Sequence, residues 1–236
     1  MNAPRGLLRG CVALAAALVL SPGSATAQPA PPDQSSRNWA GYAAGNAYYS
    51  GVSALIETPV ATGSQSAGAS AVASWVGIGG ITATDLIQAG VEVDTSGPTA
   101  TYDAWYEMLP QASRTVTLTV APGDWVQVDV HEVDFDLWQI SIVDGQQVFQ
   151  IVVPYTSSHS SAEWIVEDPS SARGLVPLAS VRGANFANMS AIANGEPAKP
   201  AALSARPIVL VSRSGLAEAI PSPLGPDGAS FNVPST

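Results

Sequence analysis

Carboxyl, amide and aromatic side chains set on strands are the chemically interesting groups of this chain. Residues 161–168 (Ser-Ala-Glu-Trp-Ile-Val-Glu-Asp) form an apolar, β-branched run that favours an extended strand. Side chains on a strand alternate between faces, so Glu163, Ile165 and Glu167 share one face, while Ala162, Trp164 and Val166 take the other, the buried one. A carboxylate is thereby held on a rigid strand beside bulky apolar groups. A second strand over 86–94 sets Ile87, Ala89, Val91 and Val93 on one apolar face and Gln88, Gly90, Glu92 and Asp94 on the other. Gln88 is well oriented there, and Gly90 leaves room beside it. Residues 100–108 behave alike, with Tyr102, Ala104, Tyr106 and Met108 opposite Asp103, Trp105 and Glu107. Polar and aromatic faces on neighbouring strands make a groove suited to an extended ligand. A solvent-facing acidic edge or an ordinary sandwich surface would alternate in the same way, and periodicity does not separate these readings.

Other chemistries find little support. His131 and His159 are the only histidines and Cys11 the only cysteine, so no zinc-ligand spacing exists and both histidines are expected to be solvated. No Asp-rich calcium loop and no Gly-x-Ser-x-Gly elbow is present. Asp94-Thr95-Ser96-Gly97 looks like half of an aspartic peptidase site, but that chemistry needs a second carboxylate copy, and the string suits a turn. No metal and no cofactor is expected.

The elements that must position the candidate residues are short strands. Residues 1–27 carry Arg5 and Arg9, an apolar run over 11–20 and Ala25-Thr26-Ala27, which reads as a secretory signal peptide cut after Ala27. The expected product is therefore secreted. Nothing later is long and apolar enough for a membrane-spanning helix. Residues 28–37 read as a flexible leader and 38–236 as one domain. Strands are expected over 52–60 (an edge strand, from Thr58-Pro59), 71–78, 86–94, 100–108, 115–120, 125–135 and 137–143. Further strands are expected over 146–153, the 161–168 run, 175–178, 181–188, 208–211 and 230–233. Asp144-Gly145 marks a hairpin. Residues 61–70 and 196–207 read as loops. This pattern without helices means an all-β sandwich or barrel.

Charge narrows the partners. Nine basic residues face nineteen acidic ones, and the signal removes two bases, leaving a mature net charge of −12 with Lys199 the only lysine. With no basic patch, nucleic acid and anionic membrane surfaces are excluded as partners. Few positive charges also mean little repulsion once carboxylates are protonated, so the fold is expected to tolerate acid and to weaken towards neutral and alkaline pH.

Five stretches occur in order: Ser36-Arg37-Asn38-Trp39-Ala40-Gly41-Tyr42, Ser74-Trp75-Val76-Gly77-Ile78, Leu86-Ile87-Gln88-Ala89-Gly90-Val91, Tyr102-Asp103-Ala104-Trp105-Tyr106-Glu107 and Ala162-Glu163-Trp164-Ile165-Val166-Glu167-Asp168. Together they resemble the eqolisins, the glutamic peptidases. The resemblance implies a sandwich of two large antiparallel sheets with the site on a concave face. It implies a catalytic Glu/Gln dyad at Glu163 and Gln88, with Trp75 and Glu107 in the substrate cleft. Glu92, one methylene longer than the family's Asp, and Trp105 are assigned to the same cleft. An acid endopeptidase insensitive to pepstatin, acting as a monomer on proteins or peptides, is the implied activity.

The residue types suit that chemistry. Glu163 can take a proton from an attacking water and return it to the leaving amine. Gln88 can donate an amide N–H to the developing oxyanion without like-charge repulsion. The rival expectations are a glycan-binding or glycoside-hydrolysing sandwich using Glu107 and Glu163, and a non-catalytic exported domain.

Overall fold

In a computed structural model, residues 34–62, 70–95, 99–171, 174–175 and 178–234 are described. In chain order the strands are β1 (Gln34–Ser36), β2 (Trp39–Gly45), β3 (Tyr49–Glu57), β4 (Val60–Ala61), β5 (Ala71–Gly79), β6 (Leu86–Asp94), β7 (Thr101–Met108), β8 (Arg114–Thr119), β9 (Trp125–Asp134) and β10 (Leu137–Asp144). They continue with β11 (Gln147–Pro154), β12 (Ser161–Glu167), β13 (Ser170–Ser171), β14 (Gly174–Leu175), β15 (Val181–Arg182), β16 (Ala184–Ala193), β17 (Glu196–Ala198), β18 (Arg206–Val211), β19 (Ala217–Ala219) and β20 (Phe231–Val233).

One large sheet has nine strands, with β1-β18-β2-β12-β5-β6-β7-β8 in order and β19 beside β18. The other has seven, with β11-β10-β9-β3-β16-β17 in order and β20 beside β16. Pairing in both is antiparallel except between β1 and β18. The sheets stack through β3, β9, β5, β6 and β12, as the expected all-β sandwich requires. Its core is one cluster drawn from alternate residues: Val76 and Ile78, Ile87 to Val93, Ala104 and Tyr106, and Ala162, Trp164 and Val166 from one sheet, against Val52, Ile56, Val126 to Val130, Trp138 and Phe186 from the other. Trp164 also donates its indole N–H across the sandwich to the Ser53 carbonyl at 3.0 Å.

Several expectations are corrected. The 52–60 run is not an edge strand: β3 lies between β9 and β16, and Thr58-Pro59 falls beyond its end, so Pro59 interrupts no ladder. Gln34–Ser36 of the expected leader instead pair with β18, and residues 28–33 lie outside the described residues. The 196–207 loop contains β17 and the start of β18. His159 is not solvated. It is 7% exposed, with φ 53°, stacked on Tyr48 (4.0 Å) and Trp138 (5.2 Å), with Nδ1 2.9 Å from the Tyr49 carbonyl. The expected signal peptide lies outside the described residues, as do 63–69 of the expected 61–70 loop and 176–177 of the expected 175–178 strand.

Candidate active site

The face of the nine-stranded sheet turned away from the sandwich core carries every candidate residue, and strand register fixes their order. One row crosses β2, β12, β5, β6 and β7 as Ala43, Glu163, Gly77, Gln88 and Glu107. Two residues along, the same strands contribute Gly41, Ile165, Trp75, Gly90 and Trp105. Two further along come Trp39, Glu167, Ala73, Glu92 and Asp103. Glu163 and Gln88 are thus separated by β5 alone, a backbone gap of roughly 9–10 Å at ordinary strand spacing. The intervening residue is Gly77, so nothing rises between the two side chains. A Cβ there would lie 3.0 Å from Leu86 and Trp75 side-chain carbons and 3.1 Å from the Gln88 Cβ. Gly90 has a different role: a Cβ would sit 2.1 Å from the Ser74 carbonyl oxygen, so only glycine admits β5 this closely.

The middle row is apolar. Trp75, Trp105 and Ile165 join Ala43, Ala73, Leu86 and Ile208 in a second cluster, with Trp39, Ile81 and Leu109 packed on it. Trp75 is completely buried. It lies edge-on beneath Trp39 at 5.1 Å and donates its indole N–H to Glu167 at 2.8 Å. It is therefore a buried floor under Trp39 and does not itself reach the surface of the cleft, unlike Trp39. A cavity of about 310 Å³ opens beside this floor, lined by Gln88, Glu92, Trp105, Glu107, Glu167 and Trp39 among others.

Glu163 is 0% exposed and Gln88 4%. Neither carboxyl oxygen of Glu163 has a hydrogen-bond partner in the protein, and neither has the Gln88 side-chain oxygen. Burial pushes the Glu163 carboxyl well above the usual carboxylate range. The nearby Ser161 hydroxyl opposes that shift, and the charge of Asp85 adds to it. Gln88 Nε2 donates to Glu107 Oε2 at 2.6 Å. That bond uses one of the two amide hydrogens and leaves the other. Burial raises Glu107, opposed by this bond and by the Ser113 backbone. Glu92 is raised by burial, with Asp94 and Asp103 adding to the effect. Burial also pushes Glu167 to about 7, although the Trp75, Trp39 and Asn38 side chains hold it down; Asn38 Nδ2 donates to it at 2.9 Å.

Asn38, Trp39, Glu167 and Asp85 are site residues that sequence reasoning did not single out. For the first three the signal was present, because they sit inside the quoted motifs. Asp85 stands in an unremarkable stretch. Among the described residues, no group of three or more His, Cys, Asp or Glu side chains is arranged to hold a metal ion.

The fold is a β-sandwich that carries a buried carboxyl and an oriented amide in one row of a sheet face. Residues 37–215 match the sequence profile of the Peptidase A4 family, and the chain belongs to that family. It is 31% identical to Scytalidopepsin B of Scytalidium lignicola over 174 residues, which is 67% of this chain and 65% of that protein. It is 32% identical to Aspergillopepsin-2 of Aspergillus niger over 135 residues, 54% of this chain and 48% of that one. The matches thus span about half to two thirds of these relatives' own lengths. In three dimensions it resembles scytalido-glutamic peptidase, solved with a peptide-based transition state analog. The TM-score is 0.71 at 25% identity, over 85% of this chain and 98% of that one.

Proposed function

We propose that the chain is an exported endopeptidase that hydrolyses peptide bonds in acid, with Glu163 as general acid and base and Gln88 as oxyanion stabiliser. The observation that carries this reading is the row Glu163-Gly77-Gln88: two long polar side chains on one face, across a glycine, with unpartnered atoms on both. A water molecule shared by the two is the partner their chemistry calls for. Glu163 as carboxylate takes a proton from that water as its oxygen adds to the peptide carbonyl carbon. The carbonyl oxygen, now an oxyanion, accepts the free N–H of Gln88. Glu163 then protonates the leaving nitrogen as the C–N bond breaks.

Burial bears on this cycle. Burial favours the protonated form of Glu163, and hydrogen bonds from water and substrate favour the carboxylate that acts as the base. Glu107 orients the Gln88 amide by accepting one of its hydrogens. Glu92, Glu107, Glu167 and Trp105 surround the cavity beside the dyad and contact the substrate's side chains.

Gln88 stands between Glu163 and Glu107 and is bonded to Glu107, which supports the peptidase reading over a glycosidase carboxyl pair. The test is digestion of denatured protein between about pH 3 and pH 7, with pepstatin present, beside a panel of soluble polysaccharides. Cleavage of protein that survives pepstatin and is absent in Glu163→Gln supports the reading. Equal cleavage by that variant, or cleavage of polysaccharide alone, removes it.

A further inference from the structure

Asp85 has no part in the scheme above, yet it sits where the strands of the dyad begin. It is the residue before β6, three positions ahead of Gln88. Its Oδ2 accepts the backbone N–H of Ser158 at 2.6 Å and the Ser157 hydroxyl at 3.2 Å, both in the segment that leads into β12 and Glu163. Between these two strands, β5 ends at Gly79 with φ 94°. A Cβ on Gly79 would lie 2.4 Å from the Asp85 carbonyl oxygen and 3.0 Å from Oδ2. The Asp85 carboxylate therefore lies across the end of the middle strand, joining the entry of the Gln88 strand to the entry of the Glu163 strand.

The segment 155–160 is otherwise fastened mainly to the opposite sheet. The Trp138 indole donates to the Tyr155 carbonyl at 3.0 Å, and His159 lies between Tyr48 and Trp138. On the dyad side its other anchor is the Tyr155 hydroxyl, which accepts from the Leu86 N–H at 2.7 Å and donates to the Leu109 carbonyl at 3.0 Å.

We propose that Asp85 is a positioning residue of the dyad: its carboxylate pins segment 155–160 across the end of β5 and so sets the spacing of Glu163 from Gln88. This rests on the Glu/Gln reading above. Its charge has a second effect, because Asp85 is a like charge facing Glu163 and makes that carboxyl harder to ionise. The other groups around Glu163 are the Tyr49 phenol from β3, the Ser161 hydroxyl on its own strand and the neutral Gln88 amide from β6. The Arg206 position lies beyond Ala43 in the same row.

Two substitutions separate the pin from the charge. Asp85→Asn keeps an acceptor oxygen for Ser158 and removes the charge. Its kcat should stay within about threefold of wild type, while the acid limb of kcat/KM moves to lower pH. Asp85→Ala removes the pin, and kcat should fall about tenfold or more with a smaller change in KM, as misplacement of reacting groups does. Folded fraction and Tm are measured alongside, and rates are taken per folded molecule. If Asp85→Ala keeps wild-type kcat and pH profile per folded molecule, the proposal is overturned. The same holds if Asp85→Asn loses kcat as fully as Asp85→Ala with an unmoved acid limb. Glu163→Gln is run in parallel: if it stays active the dyad reading fails, whereas an inactive Glu163→Gln beside an unaltered Asp85→Ala sinks only the positioning role.

Discussion

The two faces of the nine-stranded sheet are built from alternate residues of the same strands and do opposite work. Ala162, Trp164 and Val166 fill the sandwich core, while Glu163, Ile165 and Glu167 of the same strand point to the other face, where Glu167 lines the cavity and Glu163 and Ile165 lie buried beside it. Both sets are buried except Glu167, which is partly exposed. On the core side the buried polar group of Trp164 is satisfied by Ser53. The cleft side is different: the Gln88 side-chain oxygen, the Trp105 indole N–H and the Glu163 carboxyl oxygens are buried without a geometric hydrogen-bond partner among the described residues, against Ser74 Oγ on the core face of β5. Unsatisfied buried groups destabilise a fold, so under the proposed function this face gives up stability for chemistry.

The contrast can be broken by single substitutions. Gln88→Ala should lower kcat by about 10²–10³, the loss seen when an oxyanion donor is removed, with Tm nearly unchanged; steady-state kinetics beside thermal denaturation checks this. Trp164→Ala, one residue from Glu163 but on the other face, should do the reverse. It should cost about 3–5 kcal/mol of stability in denaturant titrations, while activity per folded molecule survives.

The acid groups sharpen the contrast through pH. Glu167 and Asp168 each hold their proton to about 7 in the fold, against roughly 4 in the unfolded chain. A raised folded pKa means the native state binds more protons between those values. Their contribution is full below about pH 4 and is lost as pH rises towards 7. Tm should therefore fall from pH 4 to pH 8, and Glu167→Gln should flatten the fall, recovering at most about 3 kcal/mol at pH 8. A protein more stable at pH 8 than at pH 4 contradicts this. The smallest expected effect is at Gly77. An added methyl must displace Gln88 or Trp75 by a few tenths of an ångström, so Gly77→Ala should cost about tenfold in kcat and about 1 kcal/mol or less in stability.

Much of this was legible in the sequence. The 86–94 strand coincides with the observed one, and the faces assigned to Gln88, Trp105, Glu107 and Glu163 are the observed faces, because period-two alternation is a local property. Strand order is not local. Nothing in the runs themselves places β5 between Gln88 and Glu163, which is why spacing alone favoured a solvent-facing acidic edge; β12 lies in the middle of its sheet. The same blindness put β3 at an edge. It also left His159 in solvent, although Tyr48 and Trp138, far away in the chain, enclose it. Trp75 was expected in the cleft, yet it is fully buried beneath Trp39, and that cover depends on the β2–β12 pairing.

The most direct test of a buried carboxyl that ionises more readily once water and substrate reach it is the pH dependence of the wild-type rate on one peptide substrate. The acid limb of kcat/KM reports the free protein and that of kcat the complex. The limb of kcat/KM should lie above the ordinary glutamate value of about 4.3, and that of kcat at lower pH than that of kcat/KM, with both signals abolished in Glu163→Gln. Coincident limbs at or under about pH 4 would contradict the account, because the free Glu163 would then already be ionised and would gain nothing from the complex.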